Sequence, residues 1–130
     1  VIVVDTSALV TVLLRTADAD AIEVRLFASA QSLHAPHLLD VETAQVIRRY
    51  AAGGEIDAER GRQALADLAD FPITRYPHAM LLPRLWALRH NLTAYDAAYV
   101  ALAEALEAPL LTRDRRLAVA AAPHIRIDLV

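Results

Sequence analysis

Five short apolar runs alternate with stretches of helical periodicity, and this alternation restricts the fold more than any other feature of the chain. The runs are VIVVD at the start, SLHAP ended by Pro36, then FPITRY, APLLT and finally IRIDLV. Apolar runs this short, bounded by turn and helix signals, read as buried strands. The first gap holds SALVTVLLR and DADAIEVRLFASA, the latter with an Asp-rich start. The second holds HLLDVETAQVIRRYAAGG, stopped by Gly53 and Gly54, and DAERGRQALADLAD, capped by Asp57. The third holds PHAMLLPRLWALRH, with Pro83 as a kink or a first-turn residue, and LTAYDAAYVALAEAL; a short helix from Asp114 to Ala121 fills the last. Strands separated by helices pair in parallel, because the crossover returns the chain to the same end of the sheet. The expected class is therefore α/β, with a parallel five-stranded sheet and helices on both faces. A chain of 130 residues builds one such domain, spanning 1–130, and is too short for two.

In open sheets of this kind the functional crevice lies outside the carboxyl ends of the strands, where the strand order reverses. Acids stand at those positions. Asp5 ends the first strand and Asp114 follows the fourth, so a strand order of 3-2-1-4-5 brings both to one edge. Glu42, in the helix after the second strand, has Leu38, Leu39 and Val46 at helical spacing and points partly inward. Asp96 opens the helix leading into the fourth strand, and at about 100° per residue it projects between Tyr99, Val100 and Ala103. Each acid also has a simpler local role. Asp5 and Asp114 can cap the helices that follow them, Thr93 and Asp96 form a T-x-x-D capping box, and a helical Glu is ordinarily solvated.

Taken together, the four are not explained by local roles alone. Close carboxylates repel by about 4 kcal/mol per pair at an effective dielectric of about 20, so such a cluster binds cations or holds protons. Hard oxygen donors favour Mg²⁺ or Mn²⁺ over zinc. That equipment fits metal-assisted hydrolysis of a phosphodiester by an activated water, with no covalent nucleophile.

Several other chemistries are excluded. There is no cysteine, which removes disulfides, thiolate zinc sites and thiol nucleophiles, and fits a reducing cytoplasm. Every basic residue is arginine, so a P-loop with its GK[ST] is absent. Aspartyl-phosphate families share the strand-end Asp but rely on a lysine and a second nearby Asp, and Ser7 stands where the phosphatases carry the latter. His34 and His37 straddle Pro36 in poor geometry for chelation, His78, His90 and His124 are scattered, and neither H-E-x-x-H nor G-x-S-x-G occurs. No apolar run approaches the ~18 residues of a membrane span, and Asp5 interrupts the apolar start too early for a signal peptide. The opening at Val1 suggests a trimmed N-terminus. Hydrophobic residues make up 56% of the chain and the mean hydropathy is +0.32, which predicts apolar surface covered by a partner or a second copy. Trp86 is expected in core or dimer packing.

The stretches VIVVDTSALV, the P-x-L-x-x-x-E pattern from Pro36 through Leu38 to Glu42, NLTAYDAAYVALAEAL and APLLTRDRRLA resemble the successive motifs of PIN-domain ribonucleases. They come in order and at the usual spacing along nearly the whole chain, and within that family they are most similar to VapC toxins of actinobacterial toxin-antitoxin pairs. The resemblance implies a PIN-like α/β/α sandwich in which Asp5, Glu42, Asp96 and Asp114 bind Mg²⁺, with Mn²⁺ as a substitute. It implies endonucleolytic RNA cleavage leaving a 3′-hydroxyl and a 5′-phosphate. Thr6, Ser7 and Thr112 fall where hydroxyls orient carboxylates or water. A homodimer and inhibition by a VapB antitoxin are implied as well.

Arg113, Arg115 and Arg116 crowd the last acid and are the preferred candidates for RNA phosphate contacts, ahead of Arg48 with Arg49. The net charge of −3 disfavours backbone affinity in general, but the four acids account for it once a cation offsets them. Two alternatives use the same residues: a silent binding module of this fold, and a metal-dependent nuclease or phosphatase acting on something other than RNA.

Overall fold

A computed structural model describes all residues from Val1 to Val130. Its five strands, β1 (Ile2–Val4), β2 (Leu33–Pro36), β3 (Ile73–Tyr76), β4 (Leu110–Thr112) and β5 (Ile127–Leu129), form one parallel sheet in the order β3-β2-β1-β4-β5. This is the expected order. The helices are α1 (Thr6–Leu13), α2 (Ala19–Leu26), α3 (Leu38–Ala52), α4 (Ala58–Asp70), α5 (Leu82–Ala87), α6 (Ala94–Leu106) and α7 (Arg115–Ala121). The chain runs outward from β1 through β2 to β3, then crosses back to β4 and β5. Right-handed crossovers therefore put α1 to α4 on one face and α5 to α7 on the other.

Both faces are dry. β1 is wholly buried, with Val3 and Val4 fully inaccessible, as a central parallel strand requires. Along α6 every residue from Ala97 to Ala103 is buried, and the small alanines let this helix lie against β1, β2 and β4. The segment PHAMLLPRLWALRH is less regular than its periodicity suggests. It breaks into a 3₁₀ turn at Ala79–Leu81 and the six-residue α5, with Pro83 in the first helical turn. Proline is accommodated there because its missing N–H has no intrahelical partner to lose. Trp86 does not pack in the core: it is 69% exposed, with the Arg89 guanidinium 4.3 Å from its ring centre, so of the two expected roles the one left to it is dimer packing.

The glycine stop after α3 takes a specific form. Gly53 keeps a helical conformation as the C-cap, and Gly54 turns the chain at φ +81°. A Cβ at Gly54 would meet nothing within 4 Å, so the demand is conformational and not steric. Gly54→Ala is expected to lower stability by about 1–2 kcal/mol, read from chemical denaturation with an unchanged m-value.

Candidate active site

The reversal of strand order lies between β1 and β4, whose register pairs Val4 with Leu111. The next residues on the two strands, Asp5 and Thr112, are thus side by side at the carboxyl edge. Asp5 is only 5% exposed and is tied down by three donors. The Ser7 hydroxyl donates to Oδ1 at 2.7 Å, the Ala8 N–H donates to the same atom at 3.3 Å, and the Thr112 hydroxyl donates to Oδ2 at 2.8 Å. Both hydroxyls also accept backbone donors: Arg113 N–H reaches Ser7 Oγ at 2.8 Å, and Asp114 N–H reaches Thr112 Oγ1 at 3.0 Å. Since each hydroxyl proton goes to Asp5, the 3.3 Å approach of Ser7 to Thr112 brings two acceptor oxygens together without a proton between them. Burial pushes the Asp5 carboxyl up to about 6; the three hydrogen bonds oppose that rise, and the charge of Asp114 adds to it.

Asp5 also caps α1, and Asp114 caps α7 by accepting Leu117 N–H at 3.1 Å. Their local and site-forming roles therefore coexist. Asp96 behaves differently. The cap of α6 is the Thr93 hydroxyl, which accepts Asp96 N–H at 3.1 Å, while the Asp96 carboxylate accepts no backbone N–H. Only half of the expected capping box is formed, and the Asp96 side chain is left to face the crevice. Its pKa is raised, first by burial and then by the neighbouring Asp114, with Arg116 pulling the other way.

Glu42 enters from α3 and is held by a residue that the sequence reading noted only as a neighbour of Asp96. Tyr99 lies one turn along α6 from Asp96, and its hydroxyl donates to Glu42 Oε1 at 2.6 Å. Thr6 Oγ1 stands 3.3 Å from the same oxygen and 3.2 Å from the tyrosine hydroxyl. Burial, followed by the charge of Glu42, drives the Tyr99 pKa far above its ordinary value, so this phenol is a permanent donor. The helical wheel supplied the only sequence signal for Tyr99, by placing it on the same face as Asp96.

Asp5, Glu42, Asp96 and Asp114 line one open cavity of about 690 Å³, together with Thr6, Ser7, Tyr99 and Arg113. They share its wall without closing round a single point, and no three acid or histidine side chains form a ready ligand cage. Thr112 is buried behind Asp5. Of the three arginines placed near Asp114, Arg113 reaches the cavity but is bound to Asp18 at 2.5 Å and to Thr11 at 2.9 Å. Arg115 and Arg116 are exposed and outside the cavity wall. Two of the histidines serve the scaffold: His34 bridges Ser32 and Tyr76, and His78 Nε2 accepts Leu38 N–H at the start of α3.

The match to known proteins agrees with this geometry. The family model described as PIN domain covers residues 2–123. The chain is 47% identical over 116 residues to VapC ribonuclease Mb0985 of Mycobacterium bovis, covering 89% of this chain and 87% of that protein. It is 46% identical over 129 residues to Ribonuclease VapC1 of Mycobacterium tuberculosis, covering 98% and 96%. The fold superposes on the crystal structure of M. tuberculosis VapC20, described as a sarcin-ricin loop cleaving toxin, with a TM-score of 0.69 at 19% identity, covering 92% of this chain and 95% of that one. A domain of this architecture, carrying acids at the switch point and matching these relatives along nearly its whole length, belongs to the PIN-domain family and to its VapC ribonucleases.

Proposed function

We propose that the protein is a Mg²⁺-dependent endoribonuclease toxin that cuts RNA to leave a 3′-hydroxyl and a 5′-phosphate. In this reading it acts in the cytoplasm as a homodimer and is held inactive by a cognate VapB antitoxin. One observation carries the proposal: four carboxylates from four separate elements line a single cavity, and the charge of Asp114 adds to the rise in pKa of both Asp5 and Asp96. Neutralising that repulsion requires a cation or bound protons.

The donor set fits magnesium. All the candidate ligands are carboxylate oxygens, and Mg²⁺ uses one or two of them while keeping several waters, which suits an open arrangement better than a closed cage. Asp5, Asp96 and Asp114 would hold the ion, with Glu42 completing the acidic wall. When bound, it supplies charge neutralisation at the phosphate and an activated water.

The remaining work belongs to the chain. The hydroxyls of Ser7 and Thr112 fix both oxygens of Asp5, so its orientation is set before substrate arrives. Tyr99 and Thr6 hold Oε1 of Glu42, a residue of the cavity wall, and leave Oε2 without a hydrogen-bond partner in the chain. Glu42 is thereby positioned to accept a proton from water or to orient it through that free oxygen.

Purified antitoxin-free protein incubated with total bacterial RNA is expected to give discrete fragments with Mg²⁺ or Mn²⁺ and none with chelator, each fragment carrying a ligatable 5′-phosphate. Intact RNA under every condition, from protein with a native circular dichroism spectrum, would overturn the reading. Tyr99→Phe removes the donor to Glu42 while keeping the ring. Cleavage is expected to fall about 10- to 100-fold, the usual cost of losing a hydrogen bond that orients a ligating or catalytic carboxylate, with the loss in kcat and KM little changed. A kcat matching that of the unsubstituted protein would show that Glu42 needs no such support.

A further inference from the structure

The cavity extends beyond what one cation and one phosphate need. Its volume of about 690 Å³ is in the range that encloses an organic ligand, and much of its wall lies away from the acids. α1 and α3 both start at the carboxyl edge of the sheet and pack against each other as they run from it. The cavity follows them. Val10 comes from α1, and Gln45, Val46, Arg49 and Tyr50 come from the outer two turns of α3. Arg49 and Tyr50 stand about two helical turns, or ~11 Å, beyond Glu42.

The chemistry changes along this length. The inner end is anionic. At the outer end Arg49 takes no part in any of the six ion pairs of the molecule, whereas Arg113 is already neutralised by Asp18. Beside Arg49 lie the ring of Tyr50, 38% exposed, and the amide of Gln45, which makes no hydrogen bond within the chain. Val10 and Val46 give an apolar floor. A cation, an aromatic face and an amide over a small apolar floor are the parts that hold one nucleotide of a single strand: the phosphate on the guanidinium, the base on the ring, the base edge on the amide.

Building on the ribonuclease reading, we propose that the channel between α1 and α3 is the subsite for a nucleotide adjoining the cleaved phosphate of single-stranded RNA. Arg49 holds that nucleotide's phosphate, Tyr50 stacks on its base, and Gln45 contributes base preference.

The test is binding of a short end-labelled single-stranded RNA in chelator, followed by fluorescence anisotropy across a salt series. Arg49→Ala is expected to weaken binding about tenfold and to lower the slope of log K on log salt by about 0.7, the single-strand value for one phosphate contact. Tyr50→Ala is expected to weaken it about five- to tenfold with the slope unchanged, and Tyr50→Phe to restore it. Arg126→Ala removes the same charge at the amino edge of the sheet and is expected to leave binding unchanged. Arg49→Ala and Tyr50→Ala binding like Arg126→Ala would overturn the subsite, as would an unsubstituted protein that binds no RNA.

A cleavage arm separates this proposal from the one beneath it. With Mg²⁺, Arg49→Ala is expected to raise KM on RNA far more than KM on bis(p-nitrophenyl) phosphate, which has no neighbouring nucleotide. Arg49-dependent binding of RNA that stays uncut in Mg²⁺ would overturn the ribonuclease reading and leave nucleotide binding in the channel standing.

Discussion

Asp96→Asn is expected to lose RNA cleavage by about a hundredfold or more while unfolding at the temperature of the unsubstituted protein. The activity loss follows from replacing a charged oxygen donor with an amide at the cavity wall, since the charge stabilisation supplied through such a site is worth several kcal/mol. The unchanged stability follows from geometry. Thr93, not Asp96, caps α6, so the amide removes no backbone hydrogen bond. Burial and Asp114 both raise the Asp96 pKa, so the neutral amide carries no electrostatic cost in the metal-free protein. Paired thermal melts and cleavage rates decide the matter. A variant that melts many degrees lower would return Asp96 to a structural role, and one that cuts normally would remove it from the site.

The second large effect concerns pH and metal together. Asp5 ionises at about 6 in the fold against an ordinary value of 3.8, so the folded chain holds this proton more tightly than the unfolded one. The resulting stabilisation is fully present below about pH 4 and is lost as pH rises through about 6, in total on the order of 3 kcal/mol. At neutral pH the metal-free protein therefore carries a buried, uncompensated carboxylate. A divalent cation compensates it only where the proton has left. Magnesium is expected to raise the melting temperature by several degrees at about pH 7.5 and scarcely at about pH 5, relative to chelator. Equal shifts at both pH values, or none at either, would remove Asp5 from the ligand set.

The architecture was readable because its signals are redundant. Each strand is a short apolar run with its own stop, and the helices between them leave parallel pairing as the only arrangement. Order 3-2-1-4-5 then places Asp5 beside the end of β4, as observed. Local irregularity was less visible. The periodicity of PHAMLLPRLWALRH gives no sign that a 3₁₀ turn precedes a single short helix, nor that Trp86 stays out of the core.

At the site, Asp5 and Asp114 could be found because carboxylates at strand ends are conspicuous, and Glu42 and Asp96 because helical spacing turns them inward. Their supports were harder to find. Ser7 and Thr112 adjoin the acids in sequence, but the bond from Tyr99 to Glu42 spans 57 residues, and nothing local marks it. Competing roles also misled. A carboxylate can cap a helix and face a cavity at once, as Asp5 and Asp114 do, so weighing one role against the other posed a choice the molecule does not make. The arginines show the reverse limit. Adjacency to Asp114 in sequence favoured Arg113, Arg115 and Arg116, yet the only one of these at the cavity is already bonded to Asp18.

The bond from Thr112 to Asp5 joins residues 107 apart, and it bears on how a cell survives making this protein. The first aspartate leaves the ribosome early, but its second anchor and the Asp114 beside it lie near the end of the chain. A nascent or truncated polypeptide can pair β1 with β2 and still lack the other wall of the crevice. Because so distant a contact forms only after the intervening chain is synthesised and ordered, the proposed cutting centre is completed late, when nearly the whole chain is available. Synthesis itself thus imposes a delay before any RNA near the ribosome is at risk.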